Sequence, residues 1–163
     1  MAQATRPPEG SDLARLCAEL NRLEAKYIVI GGLAMNELGL VRVTEDIDLL
    51  IEPSVENQQL IRQALRILPD RAIDELRPEE DLRDRVVVRV NDEITVGLMT
   101  SACGVAYTDG KDDVTLRTIS GVEIPFASRA LMIQLKQGNR EKDRIDLEYL
   151  LRNPARKNCS SRI

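Results

Sequence analysis

Apolar residues at Leu13, Leu16, Cys17, Leu20 and Leu23 recur at helical spacing behind Ser11 and Asp12, either of which can cap the predicted helix. Residues 1–10, with Pro7-Pro8 and Gly10, read as a flexible arm in front of it. Tyr27-Ile28-Val29-Ile30 is an unbroken apolar run bounded by turn residues, the pattern of a buried strand. It ends in Gly31-Gly32, after which Leu33 to Leu38 predicts a short helix closed by Gly39. Val41 to Ile51 predicts a second strand. Pro53-Ser54 opens a helix to about Leu68, with Leu60, Ile61, Ala64, Leu65 and Leu68 on one stripe.

Residues 69–84 are charged and turn-rich, with room for one or two helical turns. Val86–Val90 and Ile94–Met99 predict a hairpin around Asn91-Asp92-Glu93. A loop carrying Gly104 and Gly110 leads to a smaller hairpin, Val114–Ile124, that turns at Ser120-Gly121. Ser128 caps a helix to about Gln137, Gly138-Asn139 interrupts it, and a last helix from about Arg140 to Arg152 stops before Pro154. These elements predict one α+β domain over residues 11–153, a small, mostly antiparallel mixed sheet flanked by helices, with a mobile tail at 154–163.

Composition narrows the chemistry. The 163 residues suit one domain, and 43% hydrophobic residues suffice for a core that, with 2% aromatics, is built from Leu, Ile, Val and Ala. Few rings argue against single-stranded nucleic-acid reading, and a net charge of −4 does not favour a nucleic-acid partner, although Arg140, Lys142 and Arg144 form a local basic cluster. There is no run of the ~18 apolar residues a membrane span requires, and the start lacks a signal-peptide stretch. Cys17, Cys103 and Cys159 are three cysteines with no metal-binding spacing, which reads as a reduced, cytoplasmic setting with Cys17 in the core. Histidine is absent altogether, so Ser-His and Cys-His nucleophile systems and His-ligated zinc are excluded. Catalysis, if any, runs on carboxylates, Lys, Arg, hydroxyls and metal ions.

The second strand carries the strongest chemical signal. Alternation puts Ile47, Leu49 and Ile51 on the core side and projects Asp46 and Asp48 together from the other face. Adjacent carboxylates raise each other's pKa unless a cation sits between them, and paired oxygens suit Mg²⁺ (or Mn²⁺) with substrate phosphates completing its shell. A solvated acidic edge is the plain alternative. Upstream, the strand ending in Gly31-Gly32 exposes backbone N–H groups where a phosphate could approach the main chain. The turn is neither a Walker loop nor a GxGxxG turn.

The stretch Gly31-Gly32-x9-Arg42-x-Thr44-x-Asp46-Ile47-Asp48 resembles the signature of the DNA polymerase beta-like nucleotidyltransferase superfamily, in particular small bacterial members related to abortive-infection toxins and minimal nucleotidyltransferases. Lys136-x3-Arg140-x2-Asp143-x2-Asp146 resembles the C-terminal motif of the toxin-like members. The resemblance implies a nucleotidyltransferase fold and NMP transfer from a nucleoside triphosphate to a hydroxyl of a protein, an RNA or a small molecule. Asp46 and Asp48 would be catalytic and hold the metal. Gly31, Gly32, Arg42, Thr44, Lys136 and Arg140 would bind the nucleotide. Asp143 and Asp146 would support them by orienting Lys136 and Arg140, an ion-pair network with Arg140, Lys142 or Arg144 being the structural alternative.

One position departs from the family. Active members carry a third carboxylate in a neighbouring strand, and here that position holds Gly97. Glu93 has the same facing but lies four residues off, about 13 Å at ~3.3 Å per residue. Asp92 falls in the turn, and Glu45 points to the core unless the strand starts later. Two functional readings therefore stand: a metal-dependent nucleotidyltransferase, impaired at Gly97, and a non-catalytic nucleotide-binding or toxin–antitoxin module with a protein partner.

Overall fold

The computed structural model describes residues 4–154, so Cys159 and all of the expected tail after Pro154 lie outside it. In chain order the elements are α1 (Gly10–Arg22), β1 (Tyr27–Ile30), α2 (Gly31–Glu37), β2 (Asp46–Ile51), α3 (Val55–Leu65), β3 (Val88–Asn91) and β4 (Thr95–Met99). There follow β5 (Ser101–Ala102), β6 (Val105–Ala106), α4 (Tyr107–Gly110), β7 (Val114–Ile119), β8 (Val122–Ala127), α5 (Arg129–Leu135) and α6 (Glu141–Arg152). Six strands form one mixed sheet in the order β3-β4-β2-β1-β8-β7, and β5-β6 is a separate small ladder. The pairs β1/β2, β3/β4 and β7/β8 are antiparallel, whereas β2/β4 and β1/β8 are parallel. The expected α+β architecture, a mostly antiparallel mixed sheet flanked by helices, is what forms.

β1 is apolar at every position because it lies inside the sheet with both faces covered. On one face, Tyr27 donates its hydroxyl hydrogen to Asn21 of α1 at 2.8 Å. Val29, Ile47, Leu49, Ile51, Val96 and Leu98 share that face and are fully or almost fully buried. Asn57 of α3 fastens the same layer, accepting from Lys26 N–H and donating to the carbonyls of Lys26 and Glu52. On the opposite face, Ile28 and Leu131 of α5 lie against Gly110. Further along that face, Asp46 and Asp48 are partly exposed. Among the described residues no helix is long and apolar enough to cross a membrane.

Several expectations change, beginning with the first helix, which starts at Gly10 behind Glu9 and so takes in the last residue of the expected arm. The second strand begins at Asp46, not Val41, because β4 starts at Thr95, opposite Asp46, and β1 ends at Ile30, opposite Asp48. Residues 41–45 thus run beyond the sheet with no strand to pair with, and Glu45 is exposed instead of facing the core. The last hairpin extends to Ala127, three residues further than its alternation suggested. The helix after Ser54 ends at Leu65. In the 69–84 segment the helical turns are 3-10, Ala72–Glu75 and Leu82–Asp84. Of the N-terminal arm, Arg6 is tied down: its guanidinium bridges Asp12 at 2.7 Å and Glu93 at 3.1 Å, and its N–H donates to the Glu93 carbonyl.

Asp92, which the sequence places merely in a turn, organises that turn. Only 2% exposed, it accepts from the N–H groups of Asp70 (3.0 Å), Ala72 (2.8 Å) and Glu93 (2.8 Å). Hydrogen bonds to a charged acceptor contribute about 1.5–3 kcal/mol, and orphaned buried N–H groups are costly. Asp92→Ala is therefore expected to lose about 3 kcal/mol of stability in urea unfolding with an unchanged m-value; a loss below ~1 kcal/mol would mean that water reaches these donors.

Candidate functional site

The acidic pair is positioned by the sheet register. Asp48 pairs with Ile30 of β1 on one side and with Gly97 of β4 on the other, and Gly97 in turn pairs with Arg89 of β3. Arg89, Gly97 and Asp48 therefore form one row across three strands with their side-chain positions on one face, and Asp46 stands one row away opposite Thr95. Asp46 and Asp48 do share the face expected of them.

Two glycines make room for the Asp48 carboxylate. A Cβ at Gly97 would sit 2.5 Å from its Oδ1, and a Cβ at Gly31 would run into its Oδ2. Gly31 also has φ +71°, a conformation that side-chain-bearing residues rarely adopt. Gly32 is equally hemmed in, with the Thr44 methyl where its Cβ would be. Each half of the Gly31-Gly32 pair thus has a packing reason to be glycine, on top of any role toward a phosphate. Thr44 serves here as the group that packs on Gly32.

Charge around the pair comes from both ends of the chain. Arg89 reaches from β3 past the bare Gly97 strand to Asp46, with Nη1 2.7 Å from Oδ2. Burial pushes the Asp48 carboxyl above the usual carboxylate range and the neighbouring Asp46 adds to this, while Arg89, Lys136 and Arg140 pull it back. Lys136 and Arg140 lie at the α5–α6 junction.

Behind them lies a closed ionic network. Asp146 is 0% exposed and takes a bidentate pair of hydrogen bonds from Arg42, at 2.6 and 2.9 Å, plus Lys136 Nζ at 2.8 Å. Lys136, itself 8% exposed, stands 3.6 Å from Asp143, and Arg140 donates two hydrogen bonds to Asp143 at 3.1 and 3.2 Å. The partners of the two acids are therefore Arg42, Lys136 and Arg140, not Lys142 or Arg144. The Arg42–Asp146 pair, 104 positions apart, has no local sequence signal. Both terminal nitrogens of Arg42 are engaged by it, so Arg42 holds the loop before β2 against α6. Arg140 is different: its side chain is 76% exposed and keeps an unengaged Nη1.

A divalent ion would look to Asp46 and Asp48, and the donor set is thin. Asp46 already has a cationic partner, the third position is Gly97, and Glu93 is turned away to Arg6. Among the described residues no group of three or more acidic or thiol side chains is close enough to hold a metal ion. The residue at the acidic pair that the sequence left unnoticed is Arg89. Its only signal was its place, two residues into a strand that pairs with the Gly97 strand.

The two buried-side acids should respond oppositely to neutralisation. Burial raises Asp146, but the hydrogen bonds from Arg42 and Lys136 outweigh it and leave the carboxyl below its ordinary value. Its ionised form therefore stabilises the fold above the unfolded value of about 3.9, and that contribution disappears as pH falls through the depressed value. Asp48 has the reverse sign: its raised value favours the protonated fold at low pH, and that advantage is lost as pH rises through it. At pH 7, Asp146→Asn is expected to lose about 3–5 kcal/mol, as when one partner of a buried ion pair is removed, the gap narrowing below about pH 4. Asp48→Asn should instead raise the melting temperature by about 2–4 °C. Calorimetry and urea unfolding across pH 3.5–7 decide this, and a shift of the same sign for both would refute the assignment.

The chain matches no protein-family model and no curated protein.

Proposed function

We propose that this domain is a nucleotidyltransferase-like module that binds a nucleoside triphosphate on the acidic face of its sheet and transfers the nucleotidyl group weakly or not at all. The observation that carries the reading is the row Arg89–Gly97–Asp48, in which an arginine and a glycine stand where a third carboxylate would complete a metal site. The two signature stretches support the nucleotide. They meet in space through the Arg42–Asp146 pair, and Asp146 in turn holds Lys136 of its own stretch. The exposed Arg140 and the half-exposed Arg89 both offer guanidinium donors suited to phosphate oxygens. The same reading takes the setting to be the cytoplasm, which suits the free thiols of Cys17 and Cys103, and leaves room for a protein partner of the toxin–antitoxin kind.

The active-enzyme reading keeps one specific support, the projection of Asp46 and Asp48 from a single strand face. On that reading Mg²⁺ or Mn²⁺ would be held by those two carboxylates together with the triphosphate, and the acceptor would be a protein, RNA or small-molecule hydroxyl.

Calorimetric titration of ATP, GTP, CTP and UTP with Mg²⁺, each followed by pyrophosphate release, separates these readings. Binding in the ~1 μM–1 mM range usual for enzyme substrates is expected, without turnover, and weakened about tenfold by Arg140→Ala. Pyrophosphate release that disappears in Asp46→Ala would establish the enzyme instead. No binding of any of the four would defeat the nucleotide reading.

A further inference from the structure

We propose that Arg89 is the built-in counter-cation of the acidic pair: it occupies Asp46 in place of a divalent ion and makes phosphate binding at this face independent of metal. The inference rests on the reading of this face as the nucleotide site, and it adds the form of the ligand, a nucleotide polyphosphate free of Mg²⁺.

Three observations converge on it. Asp46 and Asp48 stand two residues apart on one strand face, so their mutual repulsion needs a cation, and the nearest is the Arg89 guanidinium at 2.7 Å from Asp46. Arg89 starts on β3, two strands from β2, and the strand between them has no side chain in the shared row, where Gly97 lies. A carboxylate at 97 would put a second acid beside Arg89 and force Asp48 to move, since a Cβ there falls 2.5 Å from Asp48 Oδ1. Gly97 and Arg89 are therefore two halves of one arrangement. With Asp46 satisfied through Nη1 alone, Arg89 keeps Nε and Nη2 for phosphate oxygens. A metal ion would have to displace the guanidinium and approach its positive charge as well.

Binding of Mn²⁺ alone, followed by its electron paramagnetic resonance signal, tests the exclusion without any nucleotide. Four proteins are compared: the parent, Arg89→Ala, Gly97→Asp and the double variant, each checked for folding by its melting curve. The parent is expected to bind Mn²⁺ no better than the millimolar range. Removing Arg89 should tighten Mn²⁺ binding at least about tenfold in the Gly97→Asp background, and Arg89→Lys should restore the exclusion. Equal Mn²⁺ affinity with and without Arg89 overturns the proposal. If Gly97→Asp fails to fold, the parent and Arg89→Ala decide by the same criterion, a tighter Mn²⁺ site being required in the variant. In parallel, ATP is titrated in EDTA and in Mg²⁺. The parent should bind it equally within about threefold, and Arg89→Ala should lose about tenfold in EDTA. An absolute requirement for Mg²⁺ in the parent overturns the metal independence. Absence of ATP binding in either condition defeats the nucleotide reading, and the Mn²⁺ comparison then still decides the role of Arg89.

Discussion

Two carboxylates two residues apart on one face of a strand must be compensated by positive charge, and the source of that charge determines the character of the site. Here compensation comes from the chain: Arg89 meets Asp46 directly, while Lys136 and Arg140 act on Asp48 from the α5–α6 junction. The half-exposed Arg89 pair lies in high dielectric and is worth at most ~1 kcal/mol, so its importance is less in holding the fold together than in filling the position next to Asp46. Asp48 gets less: among the described residues no cation bonds it, burial works against its charge, and its oxygens are confined between Gly31 and Gly97.

The stability of the arrangement sits one layer behind. Lys136 would be costly to bury alone, and Asp146 likewise, but together with Arg42 and Asp143 they satisfy one another's charge. Arg42 belongs to the unpaired segment before β2 and Asp146 to α6, so this network fixes the otherwise strandless residues 41–45 against the C-terminal helix. The acidic face of β2 and the basic junction of α5 and α6 consequently form together, and a chain lacking α6 would leave both Arg42 and Lys136 without their shared partner.

The fold was legible wherever one local pattern decided it. The all-apolar Tyr27–Ile30, the alternation of Asp46–Ile51, and the Ser128 cap, whose hydroxyl accepts from Leu131 N–H, each needed only a few neighbouring residues. The misjudged boundaries depended on something else: Val41–Glu45 alternates like a strand but has no partner, because the strands on either side stop. Partner availability is a property of the sheet and leaves no trace in the segment itself. In the site, the facing of Asp46 and Asp48 was readable from alternation, Gly97 stood out only against the family that the motifs resemble, and Asp143 and Asp146 stood out by their helical spacing beside apolar residues. Arg89 and the Arg42–Asp146 pair were not, since each joins residues 43 and 104 positions apart through the register of strands or the docking of a helix.

That distance changes what Gly97 means. Judged by the resemblance alone, it would be a missing carboxylate, a defect that one substitution would mend. Set beside its neighbours, it is the position over which Asp48 rests its Oδ1 and past which Arg89 extends to Asp46. A new acid at 97 would meet a carboxylate at contact distance and a guanidinium already committed to another partner, so its effect depends on whether Arg89 is present. Sites coupled in this way do not respond additively to substitution. On the proposed role of Arg89, a metal-binding acidic cluster and an arginine-compensated acidic pair are thus two self-consistent forms of such a sheet face, and the residues at 89 and 97 favour the second.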